Sequence, residues 1–336
     1  MQRDKSWLHQ LTPRHVSEID AVVEHLRRNR RTLETVTGAD FAFPTLGVFL
    51  RRFLWHDIGD RGFGVVRGLP VERYSAAEAG MVFWGLGTHM GTPVSQSPLG
   101  ERLGDVRSTG ADLSDLNARG YQTSAELAFH NDPGDVVGLL CLKKAKLGGL
   151  SSLVSAISVY NTVLAERPDC LGLFERGFEY NRRDQEARFL QPISHRIPVF
   201  ADEDGDLSMR YVRQLIDTAR VKLGAPLPDA EREALDFLDS VARRSDLVVS
   251  LMLEPGDMEF ANNYTVLHSR TRYEDHADPA QWRHLNRLWL KIPGFRKLDL
   301  VQIELDRASG WSRRDGVLPA NAPMPIRQTE TDHAIP

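Results

Sequence analysis

The chain has 336 residues, 41% of them hydrophobic and 26% charged, with a formal net charge of −4. It is long enough to bury a core without covalent staples, and its acidic balance excludes a general nucleic-acid binder, which would carry a basic excess. Two cysteines, an N-terminus without an apolar signal region and no run near the ~18 apolar residues of a membrane span exclude a disulfide scaffold and a membrane protein, and predict the cytoplasm.

Residues 14–36 carry Val16, Ile19, Val22, Val23 and Leu26 at helical spacing, and predict an amphipathic helix. A second helical stretch covers about 46–55, so the N-terminal segment, about 14–55, is helical. Residues 62–70, Gly-Phe-Gly-Val-Val-Arg-Gly-Leu-Pro, read as a short strand bounded by Gly and Pro. Residues 75–86 predict a helix with Ser75 as N-cap. Residues 94–120 are rich in Gly, Ser, Asp and Pro and read as loop. Strands follow at 138–143 and 151–155, separated by the turn Leu147-Gly148-Gly149, and a helix at 157–167 ends at Pro168. Residues 156–245 form a helical insert, whose last helix opens at Pro228-Asp229 with Asp229 as N-cap. Strands return at 247–253, 258–260 and 285–292, the last with period-two alternation. The tail from about 319 to 336 is irregular. Arg27 to Arg31 and Arg313-Arg314 are short basic runs that read as solvated helix face or loop, and Cys141 and Cys170 as buried free thiols.

Two groups of short strands around a helical insert suit a mainly β fold with helical decorations, a sandwich or barrel. The whole chain, 1–336, reads as one domain. No Gly-x-Gly-x-x-Gly or phosphate-binding loop is present.

Three elements carry chemistry. In Phe129-His130-Asn131-Asp132, residues i and i+2 of an extended segment share a face, so His130 and Asp132 can reach one ion. A distant histidine, His268, follows a Pro255-Gly256-Asp257 turn and two asparagines. Two imidazoles and a carboxylate bind ferrous iron on one face of an octahedron and leave positions open. Arg283 and Arg287, four apart on a strand, share a face, where inward guanidinium groups need anions. The rival is two exposed arginines on a sheet surface, and the alternation leaves the inward face open.

This ordered set, His-x-Asp, Gly148-Gly149-Leu150-Ser151, Pro-Gly-Asp with downstream Asn and His, then Arg-x-x-x-Arg, resembles the taurine dioxygenase and clavaminate synthase-like superfamily of Fe(II)/2-oxoglutarate oxygenases over about 62–294. The resemblance implies a double-stranded β-helix, or jelly-roll, with His130, Asp132 and His268 on iron. It implies that Ser151 and Arg283 hold 2-oxoglutarate and that Arg287 meets an anionic group of the substrate. Gln122 and Arg210 are further candidates for the pocket, as are Tyr121, Glu126, Arg182, Arg183, Arg188 and Arg213. The step of 15 residues from His268 to Arg283 is longer than in such relatives.

The implied reaction uses Fe(II), 2-oxoglutarate and O2, releases succinate and CO2, and hydroxylates an unactivated C–H bond of a small polar, carboxylate-bearing molecule. Related halogenases lack the carboxylate that Asp132 supplies, so hydroxylation is favoured over chlorination. Desaturation, cyclisation or epimerisation at the same site is the alternative. A non-catalytic jelly-roll binding protein and a zinc hydrolase are the rivals from other classes, although a hydrolase would not need Arg283 or Ser151. A small molecule is the expected partner, with no nucleic acid and no membrane. Oligomeric state is not legible.

Overall fold

Alternation of apolar and polar residues along short strands builds two facing sheets, seen in a computed structural model that describes residues 4–111, 115–183, 191–307 and 310–320. The larger sheet runs β1 (Leu8–Gln10), β2 (Phe63–Arg67), β12 (Met258–Asn262), β6 (Val136–Lys143), β15 (His284–Lys291) and β3 (Thr92–Pro93), with β4 (Gly104–Val106) also on β15. Only β1 on β2 is parallel; the other pairings in this sheet are antiparallel. The smaller sheet is antiparallel, in the order β11 (Val248–Leu251), β8 (Ser151–Ser155), β13 (Val266–Arg270) and β5 (Leu127–His130). Two short antiparallel pairs complete the strands among the described residues: β7 (Leu147–Gly148) with the distant β14 (Tyr273–Glu274), and the hairpin of β9 (Phe200–Glu203) with β10 (Asp206–Met209).

Period two sorts the side chains. Phe63, Val65, Val137, Leu153, Val266 and Trp289 fill the space between the sheets. The outer face of the large sheet gives Leu140, Met258, Phe260, Leu288 and Leu290 to a second core, against helices α1 (Pro13–Arg28), α2 (Leu46–Phe53) and α3 (Ala76–Thr88). The outer face of the small sheet packs Val154 and Leu267 against α4 (Ala156–Glu166), α5 (Leu171–Arg176), α6 (Arg213–Leu223) and α7 (Asp229–Ala242). Burying each such Leu or Phe contributes roughly 1.5–3 kcal/mol.

Most of the expected elements form. Ser75 caps α3 through its side chain, reciprocated by Glu78. Several expectations are corrected. Helix α1 stops at Arg28, with Asn29 as C-cap, and Val16 is only partly buried. The chain after α2 continues in a wider helical coil over Leu54–Arg61. The cap of α7 is Pro228, and Asp229 is its first helical residue, where a negative charge favours the positive end of the helix. The insert is not all helix, since it carries the β9–β10 pair, and the 94–120 loop contains β4. Alternation in β15 does not mean one wet face: residues 285–290 are all buried, because α3 covers one side and the second sheet the other.

The Arg313-Arg314 pair is also corrected. Arg313 is 4% exposed, and Arg314 makes a two-pronged bond, 2.7 Å to each oxygen, with the fully buried Asp135. The N-terminal basic run is ion-paired, Arg27 with Glu78 and Arg31 with the buried Asp40. Both cysteines are buried free thiols. No helix among the described residues is long and apolar enough to cross a membrane. Arg188 and residues 321–336 of the tail lie outside the described residues.

Candidate active site

The small sheet makes the centre of the site. Strand β13 pairs antiparallel with β5, and the register sets His268 opposite His130. Their rings stand 4.3 Å apart between centroids. Two residues on, past the end of β5, Asp132 returns to the same face. One ligand atom from each of His130, Asp132 and His268 lies within 4.8 Å of the others. Residues 138 apart in the chain are thus made neighbours by strand pairing alone.

Each ligand is held from behind. The Nδ1 atom of His130 lies 2.8 Å from the Ala128 carbonyl, which turns Nε2 toward the cluster. Asp132 Oδ2 accepts from the Trp289 indole at 2.9 Å and from Arg287 Nη1 at 3.3 Å. The backbone N–H of Asp132 donates to Asn263 Oδ1 at 3.2 Å, and the Asn263 amide donates to the carbonyls of Pro133 and Gly134. The second of the two turn-forming asparagines, Asn263, therefore clamps the loop that carries Asp132.

Electrostatics suit a cation. Burial opposes the charge on Asp132, but Arg287, His268, His130 and the Trp289 N–H together hold its carboxyl below the usual range. Burial lowers both imidazoles, His268 to about 3 with help from His130. Neutral imidazoles and an ionised carboxylate are the forms that ligate a metal. Replacing Trp289 with Phe keeps the ring and deletes the donor. We expect metal affinity to fall ~10–100-fold with the fold intact, read by competition with a coloured chelator; an unchanged affinity would remove Trp289 from this role.

A cavity of roughly 200 Å³ opens beside the cluster. Its far wall carries Ser151 from β8 and Arg283 just before β15. Gly148 and Gly149, both with positive φ, make the turn before Ser151. A Cβ on Gly148 would lie 2.1 Å from the Arg272 carbonyl oxygen, so the close approach needs glycine. Arg283 and Arg270 both lie over the Tyr273 ring, their Cζ atoms 5.1 and 4.7 Å from its centroid. Arg283 Nη1, Arg270 Nε and Arg270 Nη1 are buried without a hydrogen-bond partner. Unpaired guanidinium nitrogens at this depth are costly and call for an anion. The donor set thus fits Fe(II), and the wall opposite it fits a carboxylate such as that of 2-oxoglutarate.

Of the other expected residues, Arg210 and Arg287 line the cavity. Arg287 is committed on two sides, donating to Gln96 Oε1 at 2.8 Å and to Asp132, and it stacks between Tyr121 and Trp289. Gln122 is not a lining residue; Tyr121, its neighbour in a short 3-10 turn, takes that place. Glu126 turns out to Arg243 at 2.7 Å. Arg182 and Arg183 line the cavity, and Arg213 sits at its edge, paired with Asp217, Asp236 and Asp239.

Sequence reasoning missed Trp289, Glu259, Arg270, Tyr273 and Arg313. Trp289 could have been found, since it lies two residues beyond Arg287 on the same strand face. Glu259 is a lone acid in an apolar strand. It faces inward from β12, accepts the Ser151 hydroxyl at 2.9–3.0 Å, and burial pushes its carboxyl up to about 7 against Ser151 and Arg283. The fold therefore favours the protonated acid. Below the ordinary value of 4.5 folded and unfolded chains both carry the proton; the penalty grows as pH rises to about 7 and is constant above. Glu259→Gln should raise stability at pH 8 by on the order of 3 kcal/mol. That gain should vanish near pH 4.5; equal gains at both pH values in denaturant titrations would contradict it.

A jelly-roll with two histidines and a carboxylate inside one end defines a mononuclear non-haem iron oxygenase. The chain belongs to the taurine catabolism dioxygenase TauD, TfdA family, whose model matches residues 27–289. It is an Fe(II)/2-oxoglutarate-dependent dioxygenase. It is 38% identical over 244 residues to FR-33289 synthase of Streptomyces rubellomurinus, covering 71% of this chain and 72% of that one. It is 27% identical over 308 residues to the taurine hydroxylase-like protein SAT17 of Stachybotrys chartarum, covering 85% and 78%. Among solved structures, an asparagine oxygenase with Fe(II), 3-hydroxyasparagine and succinate has the same fold at a TM-score of 0.65. That match has 19% identity and covers 93% of this chain and 99% of that one. The non-heme iron oxygenase OrfP with Fe and alpha-ketoglutaric acid matches at 0.62, with 17% identity over 91% and 98%.

Proposed function

We propose that His130, Asp132 and His268 hold Fe(II), that Ser151 and Arg283 hold the distal carboxylate of 2-oxoglutarate, and that the enzyme hydroxylates a small, polar, carboxylate-bearing molecule in the cytoplasm. The observation that carries this reading is the three-residue ligand cluster facing an unpartnered, buried Arg283 nitrogen across one cavity. The 3-hydroxyasparagine bound in the asparagine oxygenase, and the (3S)-hydroxy-L-Arg bound in another structure of OrfP, support an amino acid or a related intermediate as substrate.

When bound, iron and 2-oxoglutarate together supply the oxidising chemistry, with succinate and CO2 as co-products. The chain's own groups bind, orient and exclude water. Arg283 supplies a planar fork for the carboxylate. Protonation of Glu259 lets it donate to Ser151, so that the Ser151 hydroxyl can turn to the co-substrate. Trp289 and Arg287 keep the Asp132 carboxylate aimed. Tyr121, Leu285 and Leu139 give the cavity apolar walls. Arg287 and Arg210 face the substrate.

The test is anaerobic addition of Fe(II), then 2-oxoglutarate, followed in the visible range, then oxygen and a panel of amino acids with succinate release as readout. A charge-transfer band that needs both additions is expected. Its absence from well-folded, metal-loaded protein would overturn the assignment of these residues.

A further inference from the structure

The same cavity holds a second group of arginines, apart from the residues proposed for iron and 2-oxoglutarate. Arg210 follows β10 and is 5% exposed. Its Cζ lies 4.5 Å from the centroid of the Tyr180 ring, and its Nε and Nη1 are buried with no partner. Arg313 is 4% exposed; its Nη2 donates to the carbonyls of Asn131 and Asp132, and its Nε is buried with no partner. Glu304 is the shared acid. It takes Arg182 at 2.9 Å, but stands 3.8 Å from Arg210, beyond a hydrogen bond. All four residues line the cavity that holds the iron-ligand cluster.

Count the charge. Arg182, Arg210 and Arg313 face one carboxylate, Glu304, so these four residues together carry a net two positive charges. Asp132 cannot supply the balance, because its carboxylate is taken by Arg287 and by the cluster it serves. Buried charges of this kind are tolerated when a partner arrives to pair with them. Guanidinium groups with free Nε and Nη donors present the fork that oxyanions accept.

We infer that Arg210 and Arg313, with Arg182 and Glu304 behind them, seat a doubly charged oxyanion group of the substrate. This rests on the hydroxylase reading above and narrows its substrate to a small organic molecule with two negative charges at one end. A single carboxylate would leave the corner with one charge unmatched. Because Arg313 is bonded to the carbonyl of Asp132, the seat adjoins the iron ligands. The C–H bond that reacts is therefore separated from the anionic group by a short carbon chain.

The experiment uses two tetrahedral probes of similar shape and different charge, sulfate and methanesulfonate. Each is titrated calorimetrically into the anaerobic Fe(II)/2-oxoglutarate enzyme, and into Arg210→Met, Arg210→Lys and Glu304→Gln. Sulfate should bind at least ~10-fold more tightly than methanesulfonate. Arg210→Met should abolish saturable binding, Arg210→Lys should retain part of it, and Glu304→Gln should strengthen it several-fold by removing the competing acid. Should Arg210→Met fail to fold, the lysine and Glu304 variants still decide. Equal binding of the two probes would overturn the double charge. No binding, or binding indifferent to both positions, would overturn the seat. The visible band of the same samples reports the iron and 2-oxoglutarate site independently, so its loss would indict the underlying function and its survival would not.

Discussion

Asp132→Ala should lose the absorption band that Fe(II) and 2-oxoglutarate develop together, and with it succinate formation. Two imidazoles alone remain on the small sheet, and the inward carboxylate that balances the metal's charge is gone. Loss of an outer partner of a ligand typically costs ~10–100-fold in metal affinity, so loss of a ligand itself should cost more than ~100-fold. The variant should stay folded, because Asp132 serves no apolar core. It also releases Arg287 and the Trp289 N–H from their shared acceptor. Equilibrium dialysis with Fe(II) and circular dichroism on the same preparation separate loss of metal from loss of structure. Retained iron affinity would remove Asp132 from the ligand set.

Arg283→Ala should act on the co-substrate and leave the metal alone. The KM for 2-oxoglutarate should rise ~100-fold or more, since a charge-assisted two-pronged contact in a buried site is worth about 3 kcal/mol. Iron binding should not change, because Arg283 touches none of the three ligands. Arg283→Lys should recover only part of the loss, since a point charge does not reproduce the fork. Steady-state succinate assays at varied 2-oxoglutarate measure this. A rise in substrate KM with 2-oxoglutarate KM unchanged would reassign Arg283.

The pair His130 and Asp132 was legible in the sequence because its spacing is local, and His268, 138 residues on, was reached through the family resemblance. His130 and Asp132 share a face through two-residue alternation, and His268 stands after turn signals that separate two strands. Ser75 was legible for the same reason, since a cap and its Glu78 partner lie three residues apart. What stayed hidden depends on contacts between distant segments. Arg313-Arg314 has the look of a solvated run. Its burial is set by Asp135 and by the Asp132 loop, some 180 residues earlier in the chain. The inward face of β15 could not be told from alternation, because Leu288 and Leu290 find a core under α3 while Arg287 and Trp289 find the cavity. Tyr121 and Gln122 were both candidates, and which of the two reaches the cavity is decided by a single 3-10 turn that no periodicity encodes. Glu259 carried a signal, an acid amid apolar neighbours, that could have been read.

The pairing of His130 with His268 has a mechanical side. Strand β5 is the last strand of its sheet, and edge strands fray, because one row of their backbone groups has no ladder. Beyond it lie short ties, among them a bridge from His130 to Val212 and the reciprocal bonds between Asn131 and Tyr211. A metal ion bound by His130 and His268 would act as a rivet through the last two strands. Amide hydrogens of β5 should then exchange more slowly in the loaded protein than in the metal-free one. Through Tyr211 the same rivet would steady the segment that carries Arg210, so that filling the metal site would also firm that wall of the cavity.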